Sequence, residues 1–265
     1  MKRLFMACGL ALALTNSQAE ENMVINTPSG MTTVYQLRDF TSIDAEGVVR
    51  VLFTQGQGYS VEVEESSDPD METKVEKKGQ TLHISTKTKT RNTHVGPNEY
   101  PVVLITAPQI EEIILGGVTH FNAANVTGHQ LNINISGASE MEIGRLKYNG
   151  VKVDCSGACK LTAAIQADDM RIDCSGVCKL ALNTEGKTMK VNNSGASKCD
   201  ITFVGGSIDF DNSGASKVDL KLVDCIEVKA HNSGASKFTI SGNADKTKID
   251  ASGVAKIDTS RLNQY

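Results

Sequence analysis

Apolar and polar residues alternate along most of this chain, and from Gly117 onward the alternation itself repeats. Glycines recur at Gly117, Gly137, Gly157, Gly176, Gly195, Gly214, Gly234 and Gly253, at intervals of 19 or 20 residues. Four residues before the glycine stand Ile113, Ile133, Val153, Ile172, Val191, Phe210, Ala230 and Ile249. Four after it stand Phe121, Met141, Leu161, Leu180, Cys199, Val218, Phe238 and Ile257. Polar residues fill the positions between. Period two on both sides of a glycine describes two strands with one buried face, joined at a sharp corner. An array of hairpins would bring those flanks together in mirror order. Here equivalent residues recur at a single period, which predicts coils stacked in parallel.

The expected fold is therefore all-β: a parallel β-helix (solenoid) of about 19–20 residues per coil. Successive coils lie about 4.8 Å apart, so eight make a rod of roughly 38 Å. All five prolines lie at or before Pro108, which leaves the repeats every backbone N–H they need for pairing. Residues 111–265 are the regular part and 20–110 an irregular β part. Val34–Leu37, Val48–Phe53, Tyr59–Val63, Leu82–Thr86 and Val102–Thr106 read as strands in the latter, and Ala45-Glu46-Gly47 as a degenerate corner. Gly56-Gln57-Gly58 reads as a tight turn, Asp68–Val75 as a short helix or loop, and Lys87–Tyr100 as a mobile loop. The segment is expected to begin or cap the stack, with a small separate sandwich as the alternative.

The corner itself carries chemistry. Residues two before and two after the glycine face inward and change together. They are Asn193 with Ser197, Asn212 with Ser216 and Asn232 with Ser236, then Cys155 with Cys159 and Cys174 with Cys178, and finally Ala251 with Ala255. Buried asparagines need partners, and stacked ones can bond along a ladder. The four cysteines could be bridged across each corner, bridged between neighbouring coils, or left as buried thiols. Zinc is the less natural reading, because the spacing is not Cys-x-x-Cys. The glycine is expected to take a positive φ.

Three residues out from the glycine the positions face solvent. Asp154, Asp173, Asn192, Asp211, His231 and Asp250 precede it, and Lys160, Lys179, Lys198, Lys217, Lys237 and Lys256 follow it. Such ladders keep a rod soluble and discourage lateral pairing, or offer a charged surface to a partner.

Residues 1–19 read as a signal peptide: Lys2 and Arg3, an apolar run from Leu4 to Leu14, and Ser17-Gln18-Ala19 before Glu20. No segment reaches the apolar length of a membrane-spanning helix. Without Lys2 and Arg3 the 27 basic residues fall to 25 against 31 acidic ones, which argues against nucleic acid as a partner. Export makes disulfides permissible for the six cysteines that follow Cys8. His83, His94, His120, His129 and His231 sit beside no nucleophile motif. Asp168 and Asp169, adjacent on one segment, read as a turn rather than a catalytic pair. No catalytic residue, metal site or cofactor is indicated.

The repeated Ser-Gly-Ala-Ser-Lys corner, the segment Phe40-Thr41-Ser42-Ile43-Asp44-Ala45-Glu46-Gly47 and the leader resemble a family described as putative auto-transporter adhesin, head GIN domain, frequent in Bacteroidetes. The resemblance spans nearly all of the mature chain. It implies a right-handed parallel β-helix in the cell envelope and defines no catalytic residues. The cysteine pairs depart from the Ser or Asn corner usual there. The expected function is that of an exported envelope or surface protein, a non-enzymatic module binding an unknown protein or glycan. A carbohydrate-active enzyme on a β-helix and a purely structural envelope component are the alternatives.

Overall fold

The computed structural model describes residues 23–27, 30–89 and 100–264. The predicted signal peptide and most of the predicted mobile loop lie outside the described residues. Every regular element among the described residues is a strand, and all belong to one hydrogen-bonded network.

The chain coils as a parallel β-solenoid. Half-coils that precede the corners pair in parallel, from Ser42–Glu46 to Glu112–Leu115 to Gln130–Ile135 and on through Thr188–Gly195 and Ser207–Gly214. Half-coils that follow the corners make a second ladder, from Val48–Gln55 through Val118–Thr127, Lys179–Glu185 and Lys198–Val204 to Lys256–Gln264. Equivalent residues stack: Gly157, Gly176, Gly195 and Gly214 are successive register partners, as are Leu161, Leu180, Cys199 and Val218. Parallel register excludes the hairpin array.

Inside, residues four and six from the glycines of the central coils, such as Val153, Leu161, Ile172, Leu180, Leu182, Val191 and Ile201, form one apolar column along the axis. Phe203, Phe210 and Phe238 are wholly buried, and the rings of the last two lie 4.9 Å apart. Each such side chain contributes about 1.5–3 kcal/mol by leaving water. A single coil has nothing to close over its apolar face, so neighbours supply the burial. The returns between coils are tighter than expected. The spans Glu140–Gly157, Lys160–Gly176, Lys217–Asn232 and Lys237–Ala251 stay hydrogen-bonded through the return bend. Registers slip there, at Ile143/Leu146 and Leu222/Cys225.

The irregular N-terminal strands extend both ladders. Gly47 has φ 100° and lies beneath Gly117, whose neighbour Val118 donates to the Gly47 carbonyl at 2.7 Å. Beyond this first corner, Thr81–Thr88 pairs in parallel with Ser42–Glu46, and Val102–Ala107 with Val48–Gln55. Outside these the pairing turns antiparallel, with Met71–Lys78 on one ladder and Ser60–Glu64, Gly30–Tyr35 and Met23–Thr27 on the other. The Gly56–Gly58 turn thus joins two strands that are not neighbours, because Val102–Ala107 lies between them.

Asp68–Val75 is neither helix nor loop from Met71 onward. Met71, Thr73 and Val75 alternate inward along a strand, and period two prevails over any helical reading. This edge strand is heavily charged. Lys74 and Lys78 hold Glu76 at 2.8 and 2.5 Å and pull its carboxyl down to about 2. Charge of this kind discourages another chain from adding to the edge.

Candidate binding surface

The corner is a column of glycines in the left-handed half of backbone space. Gly214, at φ 109°, illustrates why no side chain fits: a Cβ there would lie 2.6 Å from the carbonyl oxygen of Gly195 and 2.8 Å from its nitrogen. The close approach lets Ala215 N–H donate to Gly195 O at 3.1 Å, and Ala196 N–H to Gly176 O at 3.0 Å. Small residues after the glycine crowd the apex. Val177 and Val254 remain 62% and 75% exposed there.

Inside the corner, Asn193, Asn212 and Asn232 form a buried ladder. Asn193 Nδ2 donates to Asn212 Oδ1, and Asn212 Nδ2 to Asn232 Oδ1, both at 2.6 Å. Within each coil a serine hydroxyl donates to the same oxygen: Ser197 to Asn193 at 2.6 Å, Ser216 to Asn212 at 2.8 Å and Ser236 to Asn232 at 2.6 Å. The covariation of Asn with Ser is thus direct contact. At the upper end Asn232 Nδ2 is buried without a partner, because the next coil offers Ala251.

The thiol corners lie below this ladder. Cys155 and Cys174 are register partners and Asn193 stacks above them. All six cysteines among the described residues are buried and none is bridged. The Cys159 thiol donates to Ser156 O at 2.9 Å, the bond that Ser139 makes to Ser136 O at 2.8 Å one coil earlier. Burial raises Cys159 to about 11 and Cys199 to about 12.

Outside, the lysine and aspartate ladders run along the corner edge. Opposite charges two residues away partly offset them: Lys198 reaches Asp200 at 3.1 Å, Lys217 reaches Asp219 at 3.4 Å, and Asp154 is held by Lys152 at 2.7 Å. Lys160 pairs with Glu140 of the preceding coil, a hydrogen bond that raises the lysine's pKa. Such exposed pairs contribute about 0–1 kcal/mol each. His120 faces Glu140 at 3.8 Å and His83 faces Asp44 at 3.0 Å, so both are surface partners of carboxylates. Asp168 and Asp169 sit exposed at a return bend, bound to Lys187 at 2.9 Å and Thr188 at 2.5 Å of the next coil.

Next to the lysine ladder an open groove of about 630 Å³ crosses the coils along the axis. Its floor is made by outward positions five and seven after each glycine: Glu142 and Gly144, Thr162 and Ala164, Ala181 and Asn183, Asp200 and Thr202, Asp219 and Lys221, Thr239 and Ser241. These residues were not singled out from the sequence. Their signal was there, as a run of short side chains in two outward slots, but slots that differ between coils lack the regularity that drew attention to the corner. Among the described residues no group of three or more His, Cys, Asp or Glu is disposed to hold a metal ion.

The corner glycines, the inner polar ladder and the parallel register define the class of protein as a parallel β-solenoid. The chain belongs to the family described as putative auto-transporter adhesin, head GIN domain, whose model matches residues 39–221 and 184–264. Solved structures share the fold. A putative adhesin from Bacteroides fragilis is similar with TM-score 0.62 at 17% identity, over 86% of this chain and 95% of that one. One from Parabacteroides distasonis gives 0.62 at 16%, over 85% and 95%, and one from Parabacteroides merdae 0.58 at 15%, over 86% and 94%. Comparison with curated proteins gave no match.

Proposed function

We propose that this chain is an exported, non-enzymatic binding module of the cell envelope or surface. In this reading it holds an extended protein or glycan strand along its rod. The axial groove is the observation that carries the proposal. It is open at the surface, spans successive coils, and has a floor of small and polar side chains among which stand the charged Glu142, Asp200, Asp219, Lys221 and Arg261. A repetitive ligand lying along the axis would meet equivalent contacts at each coil. Membership in a family of putative adhesins supports both binding and an envelope location. Among the described residues no helix is long and apolar enough to cross a membrane.

A glycosidase needs two carboxylates able to act as acid and base or nucleophile. The groove's adjacent acidic pair, Asp200 and Asp219, is instead engaged by Lys198 and Lys217, which favours binding over hydrolysis. The test is a glycan and peptide array probed with the protein and with Ala181→Tyr/Thr202→Tyr, which fills the groove from outward-facing positions. A hit weakened at least about tenfold, a change of about 1.4 kcal/mol, supports the reading, provided the variant keeps its β-sheet circular dichroism. Hits that the variant binds equally well, or an array without hits, would overturn it.

A further inference from the structure

The four corner cysteines lie buried together on two successive coils, and the Cys178 thiol points across to the coil below, toward the Cys155 carbonyl oxygen at 3.9 Å. Pairing along the axis joins Cys159 to Cys178 and Cys155 to Cys174. Both pairs run along the axis, between coils. Cys155 and Cys174 are register partners, and Cys159 and Cys178 immediately precede the register partners Lys160 and Lys179. Stacked strands hold such Cα atoms about 4.8 Å apart, inside the range of about 4.4–6.8 Å that disulfides span. The cluster is not disposed as a metal-ligand set.

We infer that this cluster is an oxidation site at which an organic disulfide installs two axial bridges, Cys159–Cys178 and Cys155–Cys174, riveting two coils of the solenoid together. Cys178 is the point of entry. It borders the shallow channel along the corner edge, beside Val177, Lys179 and Lys198. Hydrogen bonds from Cys155 and Cys174 also hold its thiol below the ordinary value, and the thiolate is the attacking species. The Cys178 sulfur attacks the oxidant R–S–S–R, forms a mixed disulfide and releases one R–SH. Cys155 attacks the Cys178 sulfur of that mixed disulfide and frees the second R–SH. Cys174 then displaces Cys178 from Cys155, leaving Cys155–Cys174 bridged and Cys178 free. A second equivalent of oxidant passes through Cys178 to Cys159. Each bridge thus takes two electrons and two protons from the protein and reduces one oxidant disulfide to two thiols. The inference is independent of what the groove binds.

Trypsin provides the test, because cleavage after Lys152, Lys160, Arg171 and Lys179 puts Cys155 and Cys159 on one peptide and Cys174 and Cys178 on another. Protein is treated folded with oxidised glutathione, and a second sample is refolded in it so that burial cannot block access. Expected are covalently joined peptides 153–160 and 172–179, with fragment ions placing both axial bridges. The melting temperature should rise by about 5 °C or more, reversibly with dithiothreitol. Cys159→Ser, which installs the residue found at Ser139 and Ser197, should leave one bridge, Cys155–Cys174, with the peptides still joined. Cys155, Cys159, Cys174 and Cys178 all remaining free thiols after refolding, or each peptide looped on itself across its own corner, would overturn the inference.

Discussion

The corners at Gly195, Gly214 and Gly234 and those at Gly157 and Gly176 share a backbone and differ in what fills it. In the first set each amide oxygen collects a hydroxyl from its own coil, and those of Asn212 and Asn232 also collect an amide proton from the coil below. In the second, thiols of low polarity pack where those groups would be. The difference separates two ways of filling a buried corner. Polar groups must be satisfied by neighbours on the axis, so each rung constrains the next. Thiols tolerate an unmatched neighbour, because an unbonded S–H loses little on burial. This explains how the change from Cys to Asn between Gly176 and Gly195 occurs in one step, with Cys174 stacked directly under Asn193.

Breaking what the two sets share should cost most. Gly214→Ala places a methyl against the Gly195 carbonyl at a positive φ and should lower stability by about 3 kcal/mol or more, read as a fall in the urea midpoint at unchanged slope. A loss under about 1 kcal/mol would mean that the corner relaxes and that the glycine column is not obligatory.

The contrast itself is tested one step down. Asn212→Ala removes the acceptor of Asn193 and Ser216 and the donor to Asn232. It should cost about 2–3 kcal/mol through the polar groups left unpaired. Cys174→Ala at the equivalent rung removes one sulfur and should cost about 1 kcal/mol in reduced protein. Equal losses in the same urea titration would erase the distinction.

The smallest effect is a gain. Asn232 Nδ2 has no partner beneath Ala251, so Ala251→Asn with Ala255→Ser extends the ladder by one rung. Stability should rise by about 1 kcal/mol. A neutral or destabilising result in thermal unfolding would show that the last coil is too loosely held to use the added acceptor.

Much of this fold was legible because repetition multiplies a weak signal. One alternating segment is ambiguous; eight aligned on a glycine define which residues point inward and which stack. The corner pairing of Asn with Ser was readable for the same reason. Asp68–Val75 was misread because the strand that begins at Met71 occurs once, and its alternation competes with charged residues that also suit a loop or helix. The groove escaped notice because a concave surface depends on how far side chains project relative to neighbours in other coils, and its two slots carry different residues in each.

The alternation of side chains and the spacing of glycines by themselves determined a parallel stack with a continuous apolar interior, since period two and a constant repeat admit few other ways to bury that face. Only the tertiary structure decided where the N-terminal strands go, which thiols meet, and that Asn232 ends its ladder unpaired. Those outcomes rest on contacts between residues about 20 to 70 positions apart, whose distances are set by the register between coils rather than by any local pattern.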